Sequence, residues 1–168
     1  MKKIYSPWRS SYILGGTENS KSCDDNKCVF CEVFKDIEND ETNFVLRKTK
    51  HTATVLNIYP YTAGHIMVLP LEHEANLSDL SVQIRAALME ELNLAVEVVK
   101  MALKPEALNV GINMGKESGG GIPSHLHIHV VPRWSGDINF MAVIFDTKPI
   151  SFDLKDTYKK LKIEFDKA

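Results

Sequence analysis

His125-Leu126-His127-Ile128-His129-Val130-Val131 puts histidine on every second position of a short apolar run. Side chains of a β-strand alternate between its faces, so a strand over Leu126 to Pro132 presents the imidazoles on one face. Leu126, Ile128 and Val130 then point to the other face, where an apolar core holds the register. The chain has six histidines, and half of them lie within this run. Neutral imidazole is a nucleophile, a proton carrier and a metal ligand near physiological pH. Neighbouring histidines of the run stand roughly 6.6 Å apart along a strand and the outer two roughly 13 Å apart, so one pair can share a metal ion but all three cannot. A row of stacked histidines with a purely structural role is the alternative. It leaves adjacent imidazoles repelling one another on protonation for no gain.

The surrounding composition describes a compact domain. The chain has 168 residues, 44% of them hydrophobic, with 20 basic and 22 acidic side chains and a formal charge of −2. That length and apolar content suit one domain with a full core, here residues 1–168, with 1–27 as an N-terminal arm and 142–168 as a C-terminal extension. Without a basic field, long nucleic acid is not an expected partner, whereas a small anionic ligand needs only local positive potential. Met1-Lys2-Lys3 leads into a polar segment instead of an apolar signal, and no apolar run approaches the ~20 residues that span a bilayer. Three cysteines are an odd number, and Cys28-x-x-Cys31 in this context points to metal or redox use more than to a disulfide scaffold. The expectation is a cytoplasmic protein with no membrane contact.

Strand signals fall at Phe44–Arg47, Thr52–Ile58, His65–Leu69, Leu108–Met114 and Leu126–Pro132. From Val82 to Leu103 apolar residues recur at helical spacing (Ile84, Leu88, Leu92, Ala95, Val99), with Ser81 as N-cap and Pro105 beyond the end. Lys155–Phe165 reads as a closing helix. The predicted class is α+β, with a mainly antiparallel sheet of about five strands, one long helix and a C-terminal helix.

Between the fourth and fifth strands lies Gly115-Lys116-Glu117-Ser118-Gly119-Gly120-Gly121. Glycine lets backbone approach an anion and aim N–H groups at it. Gly111-x-x-x-Gly115-Lys116 is one residue short of a P-loop, and Glu117 stands where Ser or Thr is required. The segment also leads into a strand instead of a helix, so it is not one.

His125-x-His127-x-His129-Val130-Val131 resembles the signature of the histidine triad family of nucleotide hydrolases and transferases. Leu56-Asn57-Ile58-Tyr59-Pro60, Gly64-His65-Ile66-Met67-Val68-Leu69-Pro70 and His73 resemble the family's first half, and Asn109 to Gly121 its phosphate loop. The stretch Pro132-Arg133-Trp134-x-Gly136-Asp137-x-Asn139-Phe140-Met141, with Pro7-Trp8-Arg9 and Tyr12, is similar to the bacterial diadenosine tetraphosphate phosphorylase-like branch. Two positions depart from the pattern. Ile128 stands where that branch has glutamine, and Gly121-Ile122 where the family's small nucleoside phosphoramidases have Gln-Ser.

The resemblance implies a HIT-like fold, homodimerisation through the long helix and a strand edge, and cleavage of dinucleoside polyphosphates such as diadenosine tetraphosphate. By it, His127 is the nucleophile that forms a nucleotidyl-histidine, His129 contacts phosphate oxygens, and His65 helps set the tautomer of the nucleophile. Asn57 falls where ribose is bound, Ile58 beside the base, and Asn113, Ser118, Gly119 and Gly120 at the phosphate. Cys28 and Cys31 with His73 and His125 match a zinc site, structural in role. No organic cofactor is implied. Orthophosphate as acceptor gives a phosphorylase and water a hydrolase. Other readings of the same scaffold are a nucleoside phosphoramidase, adenylylsulfate chemistry, a slow nucleotide-binding protein, or a metal-dependent enzyme with a His-x-His ligand pair.

Overall fold

The computed structural model describes residues 28–138, 141, 144 and 152–168. The N-terminal arm, including Trp8, Tyr12 and Cys23, lies outside the described residues, as do Asn139 and Phe140. The element order is α1 (Val29–Lys35), a short 3-10 turn, β1 (Val45–Lys48), β2 (Thr52–Leu56), β3 (Ile66–Pro70), α2 (Val82–Leu103), β4 (Ala107–Ile112), a second 3-10 turn (Lys116–Ser118), β5 (Ile128–Arg133) and α3 (Leu154–Phe165). The strands form one five-stranded sheet in the order β1-β2-β3-β5-β4, antiparallel throughout. This is the expected α+β class.

Helix α2 begins where its cap requires. The Ser81 hydroxyl accepts from the Ile84 amide at 3.2 Å, satisfying one of the free donors of the first turn. Ile84, Leu88, Ala95, Val98 and Val99 are its buried stripe, and they pack on Leu56, Ile66, Val68, Leu126, Ile128 and Val130 of the sheet region. Asp153 caps α3 by accepting from the amides of Lys155 and Asp156. Leu161 and Phe165 of α3 then complete the same core, and the Tyr158 hydroxyl donates to the Val45 carbonyl at 3.0 Å. The end of the chain is thereby joined to the sheet's first strand. Among the described residues no helix is long and apolar enough to cross a membrane.

The opposite face of the sheet is divided. Over β1, β2 and β3 it is covered by α1, with Cys28 and Phe30 packed on Val45, Val55, Met67 and Leu69. Over β5 and β4 no described helix covers it. Helix α1 was not expected, because seven residues are too few to show a helical period.

Two strand boundaries differ from expectation in ways that matter. Strand β2 ends at Leu56 instead of Ile58: the Asn57 amide makes the last in-register bond, to the His65 carbonyl at 2.9 Å, and the Asn57 side chain then turns the chain by accepting from the Tyr59 amide. Strand β5 begins at Ile128 instead of Leu126, because the Leu126 amide donates to the Glu74 carbonyl and the ladder with β4 ends at Ile112↔Ile128. His125 and His127 therefore precede the strand. Alternation survives all the same: Leu126, Ile128 and Val130 enter the main core.

Candidate active site

Hydrogen bonds assign the proton on each imidazole. The Asn57 side-chain oxygen accepts from the Tyr59 amide at 2.9 Å, which turns its Nδ2 towards His65 Nδ1 at 3.3 Å. The Tyr61 amide also donates to His65 Nδ1, at 3.1 Å. A nitrogen that accepts from N–H groups carries no proton, so His65 holds its proton on Nε2 and donates it to His129 Nδ1 at 2.9 Å. His129 in turn keeps its own proton on Nε2, which is buried and has no acceptor. His127 is set separately. Its Nδ1–H donates to the His125 carbonyl at 2.8 Å, which leaves Nε2 with a free lone pair.

Burial keeps His65 and His129 neutral. His65, fully buried, is lowered to about 3, by desolvation first and then by His129 and His127. His129 is lowered to about 4, by burial and then by His127. The repulsion that charged His65 and His129 would suffer is thus avoided. The rings of His127 and His129 lie 4.9 Å apart and nearly perpendicular. Tyr61 rests on His65, with ring centroids 4.5 Å apart. Its loop is fastened to β5 by the Thr62 hydroxyl, which donates to the Pro132 carbonyl at 2.7 Å.

Of the expected nucleotide contacts, Asn57 is half-buried at His65 and Ile58 is exposed beside it. Asn113 faces a groove that also includes His129. The glycine-rich loop folds back on Asn113: a side chain at Gly120 would meet Asn113 Cβ at 3.4 Å and Ser118 Oγ at 3.9 Å. Both the amide and the hydroxyl of Ser118 are already bonded to the Gly115 carbonyl.

His125 belongs to a different cluster. Its Nε2–H donates to the Pro70 carbonyl at 2.9 Å, so Nδ1 is left bare. That nitrogen is 3.3 Å from Cys28 Sγ and 3.7 Å from Cys31 Sγ, while His73 Nδ1 is 3.3 Å from Cys31 Sγ. The four ligand atoms lie within 4.8 Å of one another. Tetrahedral zinc with sulfur and nitrogen ligands has S···N edges of about 3.6 Å, so the donor set and its size fit that ion. The Pro70 carbonyl supplies the outer contact that metal-binding histidines usually have. Without a cation, burial and the neighbouring Cys28 push the Cys31 thiol up to about 11, and a bound metal reverses that preference. Phe30 joins the two clusters, its ring 5.4 Å from that of His125 and 5.6 Å from that of His127.

A family model described as the HIT domain matches residues 38–136. A relative named AP-4-A phosphorylase, from Mycobacterium tuberculosis, is 36% identical over 168 residues, covering 98% of this chain and 85% of its own. The chain belongs to the histidine triad (HIT) family. A bis(5'-adenosyl)-triphosphatase from Saccharomyces cerevisiae is 35% identical over 94 residues, which is 55% of this HIT protein and 45% of the yeast one. Among solved structures, a hypothetical histidine triad nucleotide-binding protein from Sulfolobus tokodaii superposes with a TM-score of 0.64 at 27% identity, covering 83% of this chain and 90% of that one. A zinc-bound histidine triad family protein from Mycobacterium smegmatis, 24% identical with a TM-score of 0.67 over 84% of this chain and 94% of its own, shares the fold.

Sequence reading missed two features of this HIT protein's site. Phe30 hides inside Cys28-x-x-Cys31, where the cysteines draw attention, and only the helical turn brings it over the histidines. Tyr61 acts partly through its backbone amide, which leaves no trace in side-chain identity.

Proposed function

We propose that this HIT protein cleaves dinucleoside polyphosphates, diadenosine tetraphosphate foremost, through a nucleotidyl intermediate on His127. The reading is carried by one observation: the His127 Nδ1–H bond to the His125 carbonyl, which leaves Nε2 bare next to a ring whose own N–H has no acceptor. In the first step the Nε2 lone pair attacks the α-phosphorus. The N–P bond forms, the bridging P–O bond breaks, and the electron pair leaves with the departing nucleoside polyphosphate. The His129 Nε2–H donates to a phosphoryl oxygen as negative charge builds there. His65 is a positioning residue, since it holds the tautomer of His129 without touching substrate. In the second step an oxygen of orthophosphate or water attacks the same phosphorus and the N–P bond breaks. Orthophosphate yields a nucleoside diphosphate and water a monophosphate. Splitting one displacement into two is the usual advantage of covalent catalysis.

Asn57 and Ile58 would receive the retained nucleoside, and Asn113 with the Ser118–Gly120 loop the phosphates. Cys28, Cys31, His73 and His125 would hold zinc, whose contribution when bound is a cross-link between α1 and the segment that carries His127. The thiol pair suits a reducing cytoplasmic setting. A homodimer through α2 and the β4 edge, with 1–168 as one HIT domain and no organic cofactor, completes the reading. Its test is incubation with diadenosine tetraphosphate, with and without orthophosphate, followed by a rapid quench. ATP should appear with ADP or AMP, and the peptide containing His127 should gain the mass of an adenylyl group. Cleavage that survives in His127→Ala would overturn the mechanism.

A further inference from the structure

We propose that the groove along β5 and β4, from His129 to Arg133, seats the nucleoside of the departing half of the substrate, with its base against the guanidinium of Arg133. This rests on the reaction above, in which the departing group is itself a nucleoside polyphosphate. The groove, about 420 Å³, lies on the half of the sheet that no described helix covers. His129, Val131 and Arg133 alternate along β5 on the face away from the core. Opposite them on β4 stand Gly111, Asn109 and Ala107. His129 and Arg133 are roughly 13 Å apart along the strand, further than a single phosphate reaches from the reacting centre.

The floor between those ends carries no charged side chain: Val131 and Gly111 lie there, with the Asn109 side-chain oxygen turned to Arg133. Gly111 faces His129, and a side chain there would meet no atom within 4 Å, so the protein leaves that volume unfilled. Tyr61 and Ile138 stand beside it. Arg133 itself is not arranged to grip phosphate. Its Nε and Nη2 donate to the Asp137 carboxylate at 2.6 and 3.0 Å, and its Nη1 to the Asn109 side-chain oxygen at 2.9 Å. The charge is compensated and the in-plane edge of the fork is engaged on both sides. What such a group still offers is its flat face, and guanidinium faces stack on aromatic rings. An uncharged floor ending in a flat, fixed cation whose N–H edge is already engaged fits a nucleobase better than a chain of phosphates.

The test compares diadenosine tetraphosphate with adenosine 5'-tetraphosphate. The two share the adenylyl half and the four-phosphate chain and leave the same His127 adduct. They differ in the distal adenosine and in the charge of the terminal phosphate it esterifies, for which Arg133→Lys, keeping the cation, is the control. The wild type should prefer the dinucleotide in kcat/KM by about tenfold, within the range of a desolvated cation–π contact. In Arg133→Ala and in Arg133→Lys that preference should fall to within about twofold, because lysine keeps the charge and loses the plane. A merely structural role would lower both substrates alike and leave the ratio unmoved, which would overturn the proposal. Retention of the preference in Arg133→Lys would do the same. If the wild type adenylylates His127 equally fast from both compounds, the groove assignment fails and the reaction stands. If neither compound labels His127, the reaction fails and the groove assignment with it.

Discussion

His125 and His127 are two residues apart, and they have opposite chemistry. His125 gives its Nε2–H to the Pro70 carbonyl and turns a bare Nδ1 to two sulfurs. His127 gives its Nδ1–H to the His125 carbonyl and keeps a bare Nε2. One residue type on one alternating segment thus yields a candidate metal ligand and a candidate nucleophile. The difference lies in which carbonyl captures the other nitrogen. Imidazole has two nitrogens and one proton, so fixing either end decides what the opposite end can do.

The strongest way to break that contrast is to remove each ring in turn. His127→Ala should lower turnover of diadenosine tetraphosphate by about 10⁴-fold or more, as loss of a nucleophile does, while metal content and unfolding midpoint stay near wild type. If metal is lost as well, the two clusters are not separable and the comparison fails. On the other side, Cys31→Ser or a strong chelator should act on stability first. A bound ion stabilises the native state by mass action, and its removal should cost about 3 kcal/mol, or about 5–10 °C in Tm for a chain of this size. Thermal unfolding with metal analysis checks this. An unchanged Tm would show that Cys28, Cys31, His73 and His125 hold no structural ion.

His65 sharpens the comparison, because it belongs to the candidate catalytic cluster and touches no sulfur. His65→Asn should lower kcat by about 10²-fold through loss of the His129 tautomer, with metal content unchanged. It also has a pH signature. His65 and His129 are held to about 3 and about 4 in the fold, below their value near 6.5 when unfolded. The unfolded chain therefore binds more protons below about pH 6.5, and stability falls as the solution is acidified. Each such histidine contributes up to about 1.4 kcal/mol per pH unit until its folded value is reached. Denaturant unfolding between pH 7 and pH 5 should show a shallower fall in His65→Asn than in the wild type. Equal slopes would mean that His65 is not buried in its neutral form.

Much of this was legible in the residues. The boundaries of α2 were readable because capping and periodicity agree: Ser81 starts it, and Pro105 follows its end. The core face of the histidine segment was readable because Leu126, Ile128 and Val130 alternate whether or not a ladder forms. The start of β5 was not, since strand ends are set by partners, and Leu126 finds Glu74 instead of β4. Nor was α1, at seven residues. The partners of Cys31 are 42 and 94 residues away, so only family likeness brought His73 and His125 to it beforehand. The Arg133–Asp137 clamp crosses a turn after β5, where no period operates. The tautomers depend on backbone groups of Tyr61, Pro70 and His125, and backbone groups are the same for every sequence.

The smallest change tests how far the candidate catalytic cluster extends into the open half of the sheet. Two glycines border this region, and they differ. At Gly64 φ is +73° and an added Cβ runs into Leu103 Cδ1, so substitution there would disturb the fold before the chemistry. Gly111 has neither constraint: no positive φ, and nothing within 4 Å of an added Cβ. Gly111→Ala should therefore leave Tm unchanged or raise it slightly, since alanine restricts the unfolded chain by about 0.4–1 kcal/mol. Metal content should not move. The new methyl would still stand opposite His129 in the groove, and kcat/KM for diadenosine tetraphosphate should fall by several-fold. A stable, metal-replete variant with reduced turnover would extend the catalytic cluster onto β4. Full activity would confine it to β5 and the loop that carries Tyr61.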